Sequence, residues 1–342
     1  MTKRHTNNAL HIAFFTVFAF FAFTGISKGQ TTEQTIKIGT VAPVGSPWES
    51  ALIELAGEWA KLSDGAIEVK VYAGGVSGNE SDLIRKMRIG RLHGAALTQL
   101  ALGRIVPDIL ALSTPFLVRN EAELDYLLTE LTPSFAGQFT DKGYVTLTFS
   151  KAGWVYFFAG QPVTTPEDLA RTKIAVPAGD DDFLEIWRDL GFTAFPIGMP
   201  DYAMALQSGM VTSFYSIPTA VASFGWYKYI THMSPLPVAP AIGAILIDRR
   251  SWEQIPENLK PELLRVAERI GKQLGVESMQ SEKQAIEALL EEGIRKPPSE
   301  EETEQEWAAL GRAGVEMAVD TLISREIYQE ITSLLESFRS TR

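Results

Sequence analysis

A chain of 342 residues, 21% charged and 45% hydrophobic, has an ordinary soluble-protein composition and is long enough for two globular lobes. Its formal net charge is −11, with no Lys/Arg run beyond the extreme N-terminus, which disfavours nucleic acid because phosphate binding needs a clustered basic surface. There is no cysteine, which excludes disulfides, thiolate metal sites, a cysteine nucleophile and a lipid-modified cysteine at a cleavage site.

The N-terminus begins with Lys3, Arg4 and His5, continues as a Phe-rich apolar run over about 9–26, and ends in small residues at Gly25, Ser27 and Gly29. That order reads as a secretory signal over 1–29, with small residues placed for cleavage after Ser27 or after Gly29. The alternative is an uncleaved anchor, since the run approaches the length that spans a bilayer. Cleavage deletes Lys3, Arg4 and Lys28 and no acid, which takes the charge from −11 to −14. No second apolar run approaches membrane-spanning length.

Residues 36–41 alternate as an opening strand, and Pro43 to Pro47 form a loop. A helix over 48–61 should bury Leu52, Leu55, Ala56 and Trp59 on one stripe. Asp64-Gly65 turns the chain into a strand over 67–72, and this βαβ order favours a parallel sheet flanked by helices. Gly74 to Gly78 lacks the Lys-Ser/Thr ending of a phosphate loop and reads as a turn before a helix over 80–89.

Strands are expected over 95–100, 145–149, 154–159, 173–176 and 241–247. Thr165-Pro166-Glu167-Asp168 marks a helix start, with proline and acids in the first turn. Shorter helices should cover 183–190 and 201–208, each closed by glycine. From 256 to 292 the pattern is helical and nearly unbroken, stopped by Gly293 and Pro297-Pro298. A last acidic helical stretch covers 299–338, with breaks expected near Gly311–Gly314 and Ser324.

Catalytic signals are absent. With the signal removed, His93 and His232 are the only histidines, far apart and without ligand-spaced partners. Neither a nucleophile-elbow motif nor a complete nucleotide fingerprint is present. Asp180-Asp181-Asp182 lacks cation-loop spacing and reads as a solvated helix start. The aromatics are more suggestive: Trp48 at the end of the first strand, Trp154, the Phe214-Tyr215 pair, and Trp226, Tyr227 and Tyr229 together. In open α/β sheets ligands bind at the carboxyl ends of strands, which suits Trp48; taken singly, each aromatic also suits a core.

The order of motifs resembles the solute-binding proteins of TRAP transporters, of the C4-dicarboxylate-receptor type, over nearly the whole chain from Ile36. The carrying segments are Ile38 with Gly45-Ser46-Pro47, Asp64 to Val69 before Tyr72, Gly90 to Ala95, Thr114 to Leu117, and Pro162 to Leu169. They continue with Lys173 to Pro177, Tyr202 to Gly209, Tyr229 to His232, and Trp252 to Pro256. The resemblance implies an α/β fold of two lobes with an interlobe cleft, crossing hinge strands and a long C-terminal spine helix. Lobe I would comprise 33–152 plus 241–285, and lobe II 153–240 plus 286–342. It implies a periplasmic receptor that closes on its ligand and docks on a membrane permease driven by an ion gradient. Catalysis and cofactors have no part in it. A subgroup of such systems adds a periplasmic helical-repeat protein, which extends the expected partners to one.

The departures set the expected ligand. The family's carboxylate-binding arginine falls at Ala175, a second frequent arginine falls at Val155, and Met199 falls where an apolar wall residue is common. An arginine fork gives bidentate, charge-assisted bonds to a carboxylate, and Ala and Val give none. The expected ligand-binding set is therefore Trp48, Gln99, Trp154, Val155, Ala175, Met199, Phe214, Tyr215 and Ser216, around a hydrophobic or amphipathic ligand. The alternatives are an organic anion held by a relocated cation (Lys151, Lys173 or Arg188), an enzyme in the same shell, and a sensor that delivers nothing.

Overall fold

The computed structural model describes residues 34–178 and 181–341. The signal-like segment, its cleavage options and Asp180 lie outside them.

The elements in chain order begin with β1 (Gln34–Thr40), α1 (Pro47–Leu62), β2 (Ile67–Tyr72), α2 (Glu80–Arg88), β3 (Gly94–Thr98), α3 (Gln99–Gly103) and α4 (Glu121–Asp141). Then come β4 (Tyr144–Ala159), α5 (Pro166–Ala170), β5 (Lys173–Pro177), α6 (Asp181–Asp189), β6 (Thr193–Ile197), α7 (Tyr202–Gln207), β7 (Ser213–Ser216) and α8 (Pro218–Ser223). The chain closes with β8 (His232–Met233), β9 (Ala239–Asp248), α9 (Arg249–Glu253), α10 (Lys260–Glu291), α11 (Glu301–Ala318) and α12 (Arg325–Ser340).

Local sequence accounts for several starts. Ser46 caps α1, its Oγ accepting the Glu49 N–H at 3.3 Å, and Pro47 sits in the first turn, where its missing N–H has no helical partner to lose. Asn79 with Asp82, and Thr165 with Asp168, form reciprocal capping boxes on α2 and α5. Along α1 the buried stripe is Ala51, Leu52, Leu55 and Trp59, so Ala51 takes the place expected of Ala56. Trp59 is fully buried and donates its Nε1–H to the Leu263 carbonyl of α10.

The strands lie in the order β2-β1-β3-β9-β4-β7-β5-β6, with β8 added on β4. β1 is parallel to β2 and β3, and β5 is parallel to β6 and β7. Between these sets, β4 and β9 run antiparallel from Tyr144 opposite Asp248 to Val155 opposite Ala239. β3 is antiparallel to β9 and β7 is antiparallel to β4. The carboxyl ends of β1 and β3 therefore point one way along the crossing pair, and those of β5 and β7 point the other. This is the expected two-lobed α/β architecture with its interlobe cleft: two strand sets aim their ligand-binding ends at the crossing.

The 16-residue β4 replaces the two strands expected at 145–149 and 154–159. Register shifts between Thr146 and Thr148, and between Lys151 and Gly153, break the alternation that would have marked one strand. The 32-residue α10 spans both strand sets. Its first half, Leu263 to Leu274, buries with α1 and β1; Met279 and Leu289 bury in the cluster that includes Trp154, Tyr156 and Phe214. Gly271 permits close passage over β4, because a Cβ there would meet Thr148 Oγ1 at 1.8 Å.

The 21-residue α4 was not marked by the sequence pattern. The last helical stretch breaks at Ser324 as expected but runs unbroken through Gly311, which packs on Pro115 and Phe116. α12 returns to α4 through a fork of Arg339 on the buried Glu123, with N–O distances of 2.8 and 2.7 Å.

Candidate functional site: the strand ends at the crossing

By strand direction, the carboxyl ends that point toward the crossing are Thr98 of β3, Pro177 of β5 and Ser216 of β7, with Gly153 to Val155 within the crossing strand itself. Trp48 is half-buried and its ring lies over Gly243 of β9, beside the Leu97 carbonyl. Gln99 is 7% exposed and fully engaged. Its Nε2 donates to the Ile109 and Leu110 carbonyls at 3.2 Å each, and its Oε1 lies against the Ser113 hydroxyl, which also meets the Pro240 carbonyl. Gln99 thus shapes the 107–113 turn rather than presenting free donors to the cleft. Val155 is half-buried, and its carbonyl accepts the Val238 N–H at 2.7 Å.

Ala175 and Phe214 are register partners across β5 and β7, and both are 0% exposed. Phe214 stacks on Phe158 with centroids 5.5 Å apart and meets Tyr202 and Trp226 edge-on at 5.8 and 5.6 Å. Both residues were expected on the cleft wall; the structure encloses them in an aromatic cluster. Tyr215 differs again. Successive strand residues face opposite ways, so Tyr215 packs on Phe157, Trp187 and Phe183 in the separate cluster covered by Trp307. Phe214 and Tyr215 therefore do not line one surface. Ser216 is half-buried opposite Tyr156, and Met199 is 40% exposed beside α7.

None of the three relocated-cation candidates is at the carboxyl end of a strand. Lys151 is held by Asp125 at 2.7 Å and Glu121 at 3.6 Å, both from α4. Lys173 begins β5, at the end away from the cleft, and its Nζ donates to the Gly209 carbonyl. Arg188 donates to the Ala194 carbonyl.

Two carboxylates that the sequence did not single out occupy this region. Glu80 accepts the Thr98 N–H at 2.6 Å and the Thr98 hydroxyl at 2.7 Å, so the donors at the end of β3 are already taken by a carboxyl supplied by the chain. Glu282 of α10 is 4% exposed and accepts the Trp154 N–H at 2.7 Å. Burial pushes the Glu282 carboxyl up to about 7; Glu121 adds to that, while the Trp154 N–H, Lys296 and Lys283 oppose it. Lys296 lies over the Tyr156 ring, 5.1 Å from Nζ to centroid, and burial lowers its pKa. Burial, with Glu282 nearby, raises that of the Tyr156 phenol. Sequence periodicity places Glu282 on a helix but gives no sign that β4 crosses against it. A Gly just before an expected strand, at Gly153, was the available clue.

Two strand sets meeting at a crossed pair, strapped by one helix and with ligand-binding ends opposed, define a two-lobed binding protein. The chain belongs to the family of bacterial extracellular solute-binding proteins, family 7, whose model matches residues 38–318. A solute-binding protein of Chromohalobacter salexigens is 25% identical over 260 residues, covering 75% of this chain and 76% of that one. The crystal structure of a TRAP periplasmic solute binding protein from Roseobacter denitrificans with bound β-D-glucuronate is similar in fold, with a TM-score of 0.81 at 19% identity over 89% of this chain and 99% of that one. One from Sulfurospirillum deleyianum with bound succinate gives 0.80 at 17% identity, over 89% and 99%.

Proposed function

We propose that this chain is the extracytoplasmic receptor of a TRAP-type secondary transporter. It captures a hydrophobic or amphipathic small molecule between its lobes and hands it to a membrane permease, without catalysis. In this reading residues 1–29 are the export signal, the protein works in the periplasm, and the lobes comprise 33–152 plus 241–285 and 153–240 plus 286–342. Among the described residues no helix is long and apolar enough to cross a membrane.

The observation that carries the ligand class is Ala175. The position where the family's arginine falls is a methyl group sealed against Phe214, and Val155 supplies no charge either. A carboxylate placed there without a partner would lose several kcal/mol of solvation. The apolar side chains that remain partly exposed in this region, Trp48, Val155 and Met199, instead favour an apolar body at about 25 cal/mol per Å². The ligands bound in the similar structures, glucuronate and succinate, favour a second reading in which this chain also binds an organic acid. The engagement of Lys151, Lys173 and Arg188 elsewhere weighs against it.

The test is to purify the mature protein from a lipid-containing lysate, denature it, identify co-purifying molecules by mass spectrometry, and titrate succinate and glucuronate by calorimetry. A stoichiometric apolar or amphipathic molecule supports the reading. Tight binding of either acid overturns it and establishes the second reading.

A further inference from the structure

The crossing strand is held from behind by a single buried carboxyl. Glu282 reaches from the last third of α10 to the Trp154 N–H, one residue past the register shift between Lys151 and Gly153. Gly153 itself stands at φ +135°, and a Cβ there would sit 3.2 Å from Glu282 Oε1 and 3.6 Å from Ile217, the residue leading from β7 into α8. One contact therefore joins the spine helix, the point where β4 passes between the strand sets, and the end of β7. Separation of α10 from β4 at this point breaks it.

The groups facing Glu282 come from every element around it. From α4 comes Glu121, which with Asp125 also holds Lys151. From β4 comes the Tyr156 phenol. From the segment after α10 comes Lys296, and from α10 itself Lys283. α8, which packs on α10, contributes no titratable side chain.

We propose that Glu282 is a proton-operated latch: protonated, it ties the spine helix to the crossing strand, and on ionisation it releases that contact, so that local opening of α10 from β4 at Gly153 follows pH. The physical basis is desolvation. In the latched arrangement the charge is buried beside Glu121 with only one backbone donor, whereas opening lets water solvate it. The latched form thus binds a proton that the opened form releases. By linkage, opening rises as pH increases from the ordinary carboxyl value of 4.5 to about 7, and levels off above that.

The test reads hydrogen exchange at the Trp154 backbone amide in [15N]tryptophan-labelled mature protein between pH 5 and 8, corrected for intrinsic exchange. The expected result is an opening equilibrium that grows by up to about tenfold per pH unit until near pH 7. Glu282→Gln should abolish the slope. Glu121→Gln should keep it and move the plateau to lower pH. The Trp59 amide, buried in the other cluster, should not follow. A flat wild-type profile, a slope retained in Glu282→Gln, or a Trp59 profile that tracks Trp154 would each overturn the latch. Should Glu282→Gln not fold, an unmoved plateau in Glu121→Gln overturns it equally.

Discussion

Ala175 lies directly beside Phe214 across the β5–β7 pair, and neither is reached by solvent. Ala175 belongs to the same buried cluster as Phe214, Tyr202 and Trp226, so an arginine at 175 would have to enter a filled interior. Restoring a cation there should be costly rather than functional. Ala175→Arg is expected to destabilise the protein by at least about 3 kcal/mol, from overpacking together with burial of an unpaired charge. Urea unfolding measures it, and a loss below 1 kcal/mol would mean that the cluster opens readily.

Phe214→Ala addresses the same cluster from the other side. Removing a fully buried ring that touches Phe158, Tyr202 and Trp226 should cost about 3–5 kcal/mol. Met199→Ala, at a side chain 40% exposed, should stay within about 0.5 kcal/mol. Equal effects in thermal unfolding would contradict the placement of Phe214 in a core.

The sequence was readable wherever one local rule decided the outcome. The Pro43–Pro47 loop, the Gly74–Gly78 turn, the Thr165-Pro166 start and the nearly unbroken helical pattern of α10 placed helix starts and the spine within a few residues. Non-local facts were not readable. The bulges at Thr146–Thr148 and Lys151–Gly153 made one long strand look like two. Phe214 and Tyr215 looked like a pair of cleft aromatics, but strand alternation sends them to opposite faces, and only the sheet order shows which helices cover each. Glu282 and Glu80 resemble any solvated helix residue in one dimension. Their roles come from Trp154 and Thr98, which are 128 and 18 residues away in sequence.

Gly153 is a position where backbone geometry and packing restrict the sequence together. Its φ of +135° disfavours any side chain, and a Cβ would press to 3.2 Å from Glu282 Oε1. Gly153→Ala should lose about 1–3 kcal/mol of stability. It should also weaken protection of the Trp154 amide, since the latch must move aside. Unchanged stability and exchange would show that the crossing is more pliant than its geometry indicates.

The fork between Arg339 and Glu123 fixes α12 onto α4, and its pH signature has a definite sign. Burial alone would raise the Glu123 carboxyl, but the Arg339 guanidinium and the Arg119 N–H hold it below its ordinary value of 4.5. A carboxyl depressed in the folded state contributes stability that is present above the unfolded value and lost as pH falls through the folded one. Arg339→Gln leaves Glu123 buried without its cation and should cost about 3–5 kcal/mol at pH 7. The gap should begin to shrink as pH falls through the Glu123 value of the variant, which burial without Arg339 lifts, and go on shrinking down to the depressed wild-type value, below which Glu123 is protonated in both proteins. Urea unfolding at a series of pH values checks this. A gap that is constant into acid, or one that widens there, would mean that Arg339 stabilises α12 through its bond to the Leu117 carbonyl and its packing rather than through the charge on Glu123.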